Sequence, residues 1–194
     1  MNNIEIKDIL RFSGSLKSED PEHTYHRSYR HFVKYFSDKD TLTEQDLVIG
    51  ANFTYGWMPT IMNFKSNNFE ESLNILNKAK LPERISTDEI LALKSLVNNS
   101  LVGVSKLLHF VNPSVYAIWD SRVCYFLLGK SHKYIIEKVD LYWEYLDLCE
   151  RVASEPKFKE IHTAFEASVN YEVAEFRVVE QLMFVNSSTT IAKF

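Results

Sequence analysis

The stretch Asn99-Ser-Leu-Val-Gly103-Val-Ser-Lys106-Leu-Leu-His109-Phe-Val-Asn-Pro113-Ser-Val-Tyr-Ala-Ile-Trp119-Asp120-Ser-Arg122-Val123 decides how the chain is read. Leu101 to Phe110 carry apolar side chains at helical spacing. Asn112-Pro113 ends that helix, because a proline disfavours helical backbone in the residue before it. Helical spacing returns after Asp120, so Ser121 to Leu128 reads as the next helix, with Gly129 placed as the residue just past its end. A proline loop therefore carries Asp120 to a helix N-terminus.

A carboxylate at that position accepts backbone N–H bonds and faces the positive end of the helix dipole, and both effects keep it ionised. Beside a cavity, such a group can stabilise a sugar cation or activate a nucleophile. Away from one, it is a cap. Lys106 lies in an apolar run between Val104 and Leu107-Leu108. Burial there would lower its pKa and free its amine for Schiff-base chemistry, while a lysine on the helix edge would extend its ammonium into water.

Helical spacing extends outward in both directions. The expected helices are Ile4 to Phe12, a second opened by Asp20-Pro21 and running to Phe36, and Glu44 to Phe53, started by a capping box at Thr41-Leu-Thr-Glu44. Gly56-Trp57-Met58-Pro59 is expected to break the third helix, with helix resuming from Ile61. Phe69 to Lys80 follows, then a helix opened by the capping box Ser86-Thr-Asp-Glu89 and interrupted at Asn98-Asn99-Ser100. Tyr134 to Val152, Phe158 to Val169 and Tyr171 to Phe184 complete the set, with a frayed end of ten residues. No repeat or linker is evident, and Leu47 to Ile49 is too short to count as a strand. The expected fold is all-α, a compact helical bundle forming one domain over residues 1–194.

Composition agrees. The 194 residues are 45% hydrophobic, with 13 Phe, 10 Tyr and 3 Trp, enough apolar surface to offset the entropy of ordering. Only 5 Gly and 5 Pro are present, fewer than the turns of a β sandwich would use. Met1 to Asp8 lacks the apolar core of a signal peptide, and no stretch has the roughly 18 apolar residues of a membrane span. Cys124 and Cys149 read as reduced core thiols, which fits a cytoplasmic location, and two cysteines cannot by themselves ligate an iron–sulfur cluster. The net charge of −4 argues against a protein that coats nucleic acid, while leaving room for a local basic face.

The segment from Asn99 to Leu128 resembles the helix-hairpin-helix DNA glycosylases, the superfamily that includes endonuclease III, MutY and the 8-oxoguanine glycosylases. Pro113, Tyr116, Ile118, Asp120, Arg122 and Val123 match its shape, and Asp120-Ser-Arg-Val is nearest the 8-oxoguanine branch. The likeness covers about 30 residues. It implies excision of a damaged or modified base, flipped from DNA into a pocket, with Asp120 as catalytic carboxylate and Lys106 as candidate nucleophile. It also implies phosphate contact through the hairpin at Asn99, Ser100 and Gly103, with Arg122. The family's hairpin glycines are absent here, and Lys106 stands closer to Asp120 than the family's lysine does. That divergence suggests a specialist, such as one acting on hypermodified phage bases in antiviral defence.

Other residues are assigned around this centre. Tyr55, Trp57 and Met58 would wall a slot for a base, with ordinary core filling as the other use of such a cluster. Trp119 and His109 are assigned to substrate contact, although a histidine on such a helix is more often a satisfied core residue. Arg27 and Arg30, beside Lys34, would form a phosphate-contacting face. His23, His26 and His31 with Glu22 lack the spacing of a zinc site, so no metal and no cofactor are expected. Arg177 and Glu180 are read as a structural i,i+3 pair. The expected partner is DNA bearing a modified base, bound by a monomer. The alternatives are a non-catalytic helical module binding a nucleotide, DNA or a protein, and a helical regulator without a pocket.

Overall fold

The computed structural model describes residue 1, residues 4–18 and residues 24–191. The described residues form α1 (Ile6–Leu10), a 3-10 turn (Ser13–Ser18), α2 (Thr24–Ser37), α3 (Glu44–Trp57), α4 (Phe69–Ala79), α5 (Thr87–Leu96), α6 (Leu101–Val111), α7 (Ser121–Leu128), α8 (Lys133–Ile136), α9 (Val139–Ala153), α10 (Phe158–Val169) and α11 (Glu175–Val185). Two of these helices organise the packing. α6 meets α2, α3, α4 and α5, while α11 meets α1, α7, α9 and α10. One continuous apolar core joins the two groups. Among the described residues, no helix is long and apolar enough to cross a membrane.

Several boundaries follow the expected reading. Ser86 and Glu89 form a reciprocal capping box at the start of α5. Gly129 ends α7 at φ 66°, a conformation open to glycine without a Cβ penalty. The start expected at Asp20-Pro21 lies outside the described residues. The first capping box sits two residues later than its expected place, between Thr43 and Asp46, because Asp46 also takes a hydrogen bond from Tyr35 and an ion pair from Lys39.

Four expected boundaries differ, three of them through tertiary contacts. α3 runs through Gly56 to Trp57 and ends before Pro59. No helix resumes at Ile61. Residues 61–65 instead lie extended against the turn between α5 and α6. Asn98 binds Ile61 O and Asn63 N with its side chain, and Lys65 N donates to Leu96 O. A single antiparallel bridge, Phe64 to Val97, is the one β contact among the described residues. The long helix expected from Tyr134 is divided into α8 and α9. Ile136 O is taken by Trp119 Nε1 and Glu137 O by Lys94 Nζ, which leaves neither carbonyl for a continuing helix. α11 starts at Glu175 and not Tyr171, because Val173 is tied to α10 through His162 and Glu166. The described part of the C-terminal end is also anchored. Thr190 Oγ1 and Ile191 N both donate to Phe126 O.

The loop from Asn112 to Asp120 is the unusual element. Residues 116 to 120 are all buried, so each backbone group needs a partner inside the protein. His109 Nδ1 meets Tyr116 O at 2.6 Å, the Tyr142 hydroxyl donates to Ala117 O, and Ser105 Oγ serves both Trp119 N and Trp119 O at 3.1 Å. Asn112 caps the far end by donating to the carbonyls of Ala79, Lys80 and Leu81.

α6 can lie this deep because Gly103 lets it approach α3. A Cβ at Gly103 would strike the ring and hydroxyl of Tyr55, whose OH is bonded to Val97 O at 2.9 Å. Gly103→Ala should therefore push Tyr55 off that bond and destabilise the protein by about 1–3 kcal/mol, an overpacking cost, read as a lower urea midpoint at unchanged slope.

Candidate active site

A cavity of about 670 Å³ opens where the two helical groups meet. α2 contributes Tyr25 and His26, α3 contributes Trp57, and α6 contributes Val102 and Lys106. Asp120, Ser121 and Arg122 enter from the start of α7, and Arg177, Glu180, Gln181 and Phe184 from α11. The volume lies within the range of small-molecule sites.

Asp120 is the N-cap of α7. Its Oδ1 accepts from Arg122 N at 2.9 Å and Val123 N at 3.1 Å, which fixes the carboxylate in orientation. Its Oδ2 is left toward the cavity, 4.0 Å from Lys106 Nζ. That separation is an ion pair without a close hydrogen bond, so neither group is consumed by the other. The Lys106 side chain is 12% exposed. Burial lowers its pKa below the ordinary lysine value, and the Asp120 carboxylate opposes that shift. Its ammonium also lies 5.5 Å from the centre of the Trp57 ring.

Trp57 forms the wall on the other side. Its ring meets Tyr25 and Phe110 edge-on, each at 5.4 Å. Met58 lines the cavity beside it, and Arg122 lies at the opening with its guanidinium 4.6 Å over the Phe184 ring. Lys106, Asp120, Trp57, Met58 and Arg122 are thus gathered in one concavity.

The other residues singled out from the sequence lie elsewhere. Tyr55 is buried under α6 and bonded to Val97. Trp119 is wholly buried, with its indole N–H on Ile136 O and its ring against Tyr145. Their bulk serves the core, which explains why neither lines the cavity. His109 is also wholly buried. Its Nδ1–H donates to Tyr116 O, so its Nε2 accepts from the Tyr29 hydroxyl at 2.9 Å. Arg27 and Arg30 are exposed on α2, outside the cavity lining. Among the described residues, no three His, Cys, Asp or Glu side chains gather to hold a metal. His23 and Glu22 lie outside those residues.

The hairpin between α5 and α6 turns through Asn98 and Asn99, at φ 53° and 51°. Asparagine is among the side chains best tolerated in that left-handed region, so it occupies a turn that glycine would otherwise favour. Two amides at the start of α6 have partners within the chain. Leu101 N donates to Glu137 Oε2, which is paired with Lys94, and Gly103 N donates to Ser100 Oγ. Gly103 itself is buried, and Asn99 is exposed.

α11 adds Gln181, which the sequence did not single out, and brings Arg177 and Glu180, expected as a structural pair, to the cavity. Arg177, Glu180 and Gln181 are 3%, 1% and 4% exposed, and the first two form an ion pair within the cavity lining. Burial raises the Glu180 pKa, against the pull of Arg177. The signal in the sequence was three polar residues, Arg177, Glu180 and Gln181, set within the apolar run Phe176 to Val185.

Comparison with known protein families, curated proteins and solved structures finds no match to this chain.

Burial, reinforced by the charge of Arg177, lowers the His109 pKa to about 3. Its imidazole should accordingly stay neutral from pH 5 to pH 8, where an ordinary histidine titrates. Ring proton NMR shifts that remain flat across that range are the expected result. A midpoint near pH 6.5 would show an accessible histidine.

Proposed function

We propose that this protein is a DNA N-glycosylase, with Asp120 and Lys106 as its reacting pair. The observation that carries the proposal is the divided role of Asp120. One oxygen is held by two backbone amides while the other faces a cavity beside a buried lysine. A carboxylate fixed in this way loses no energy to reorientation as positive charge develops on a sugar. The cavity is large enough for a base, and Trp57 gives it an aromatic wall.

Two routes share this geometry. In the first, the neutral Lys106 amine attacks C1′ of the sugar. The glycosidic bond breaks, and the base leaves with the bonding electron pair and a proton. The lysine is left covalently joined to C1′. In the second, water attacks the same carbon and gives its proton to Asp120 as the glycosidic bond breaks. The base leaves with the bonding electron pair, to be protonated in turn, while Lys106 positions the carboxylate. Both routes place a sugar cation against Asp120 Oδ2.

The hairpin supports a second reading. Two amides at the start of α6 are engaged by Glu137 and Ser100, which leaves fewer donors for a phosphate, and the chain carries a net charge of −4. A module that binds a nucleotide in the same cavity without cleaving it would have those features.

The two readings separate at Asp120→Asn. Asparagine keeps both cap hydrogen bonds, so stability should stay within about 1 kcal/mol of the parent. Excision from oligonucleotides carrying modified bases, scored as alkali-labile breaks, should fall about a hundred- to a thousandfold. Unchanged excision would remove Asp120 from the chemistry, and no excision from any duplex by the parent would favour the binding module.

Lys106 has its own pH signature. Its lowered pKa exposes the free amine at a lower pH than an ordinary lysine, near 10.4, would. Borohydride trapping of an enzyme–DNA adduct should therefore rise with pH and level off below that value, with no adduct from Lys106→Ala. Excision without an adduct at any pH would assign the attack to water.

A further inference from the structure

Two residues that line the cavity each carry a buried N–H without a partner among the described residues. They are Arg177, through Nε, and Trp57, through Nε1. The Arg177 guanidinium lies 5.5 Å from the Trp57 ring centre and 4.7 Å from that of Tyr29. A buried donor without an acceptor is costly, and native proteins keep few of them. An occupant that brings acceptors would remove that cost.

The charges indicate what kind of acceptor. Arg177 is paired with Glu180, and Lys106 stands against Asp120. The inner cations are therefore matched by carboxylates, and an anion entering the cavity would meet both carboxylates after losing its own hydration. The inner charges are thus paired while the inner N–H groups are not, and Arg122 adds a cation at the opening. The walls are aromatic and suited to a flat ring.

We infer that the cavity binds a neutral planar heterocycle through carbonyl oxygens, and that Trp57 and Arg177 are the residues that read that edge. The inference rests on the base-excision reading for the occupant's origin in DNA, since a base is the ring that such an enzyme would enclose. A keto base presents carbonyl acceptors to this donor pair. Where an amino group replaces a carbonyl, a donor faces a donor and the buried N–H stays unsatisfied. Discrimination then comes from the unmatched group, as in sites built to hydrogen-bond one substituent.

The test uses the intact protein and free bases, so it does not depend on catalysis. Hypoxanthine and adenine differ at one ring position in carbonyl against amino, as do uracil and cytosine. The three tryptophans supply three indole N–H signals in NMR, and Trp57→Phe identifies the one from Trp57. Hypoxanthine or uracil should shift that signal and bind roughly three- to tenfold more tightly than its amino counterpart, the value of one hydrogen bond. Trp57→Phe keeps an aromatic wall without the donor and should erase most of that preference. Arg177→Lys, which keeps the charge but lacks the Nε–H, should do the same if it folds. Equal binding of keto and amino bases, no binding of any base, or an equivalent Trp57 shift with inorganic phosphate would overturn the inference. A retained preference in Trp57→Phe would also overturn it. Parallel oligonucleotide assays keep the two proposals separate. Keto-base preference without excision from DNA would sink the glycosylase reading alone, and excision without that preference would sink this one alone.

Discussion

Burying the loop before Asp120 is the constraint on which the structure turns. A loop inside a protein must find a partner for every peptide group it removes from water. Here the partners come from separate helices: His109 and Ser105 on α6, and Tyr142 on α9. The loop thereby fixes the spacing of α6, α7 and α9. It also places Asp120 at the end of a rigid path, 8% exposed and held by two amides. His109 and Trp119 belong to this support. Their polar atoms face the protein interior, where they join α6 and the loop to α2 and α8.

The site consists of compensated charges next to uncompensated donors. Pairing Arg177 with Glu180 makes it possible to keep a guanidinium inside an apolar helix packing, where an isolated one would be very costly. The pair also holds the guanidinium between Tyr29 and Trp57. At the α5–α6 hairpin, by contrast, Glu137 takes an amide at the α6 N-terminus, where a phosphate would otherwise be favoured. A DNA ligand would then depend more on Arg122 at the cavity opening and on the exposed arginines of α2. The proposed grip thus joins the proposed chemistry at Arg122 and extends from it to α2.

Much of the helical layout was readable from short-range patterns. Phe158 to Val169 has the same limits in sequence and structure, and the α7 boundaries follow from Asp120 and Gly129. Capping, helical spacing and the proline stop act within a few residues, so they leave a local trace. Several boundaries moved because a distant group claims a backbone atom. Lys94 and Trp119 divide α8 from α9, Asn98 keeps residues 61–65 out of a helix, and His162 with Glu166 delays α11.

The same distinction holds for the site. The sequence by itself determined an all-α chain with a carboxylate at the start of α7 and a lysine on α6 facing an apolar run, because each depends on neighbours within one or two turns. Only the tertiary structure decided that Trp57 and Met58 reach the cavity while Tyr55 and Trp119 fill the core, since residues of one chemical type differ there only in the direction each helix presents them. It alone brought Arg177 and Glu180 beside Lys106 and Asp120. The i,i+3 spacing made the α11 pair possible, but its burial comes from the packing of α11 against α1, α7, α9 and α10, and no local pattern encodes contacts between segments so far apart in the chain.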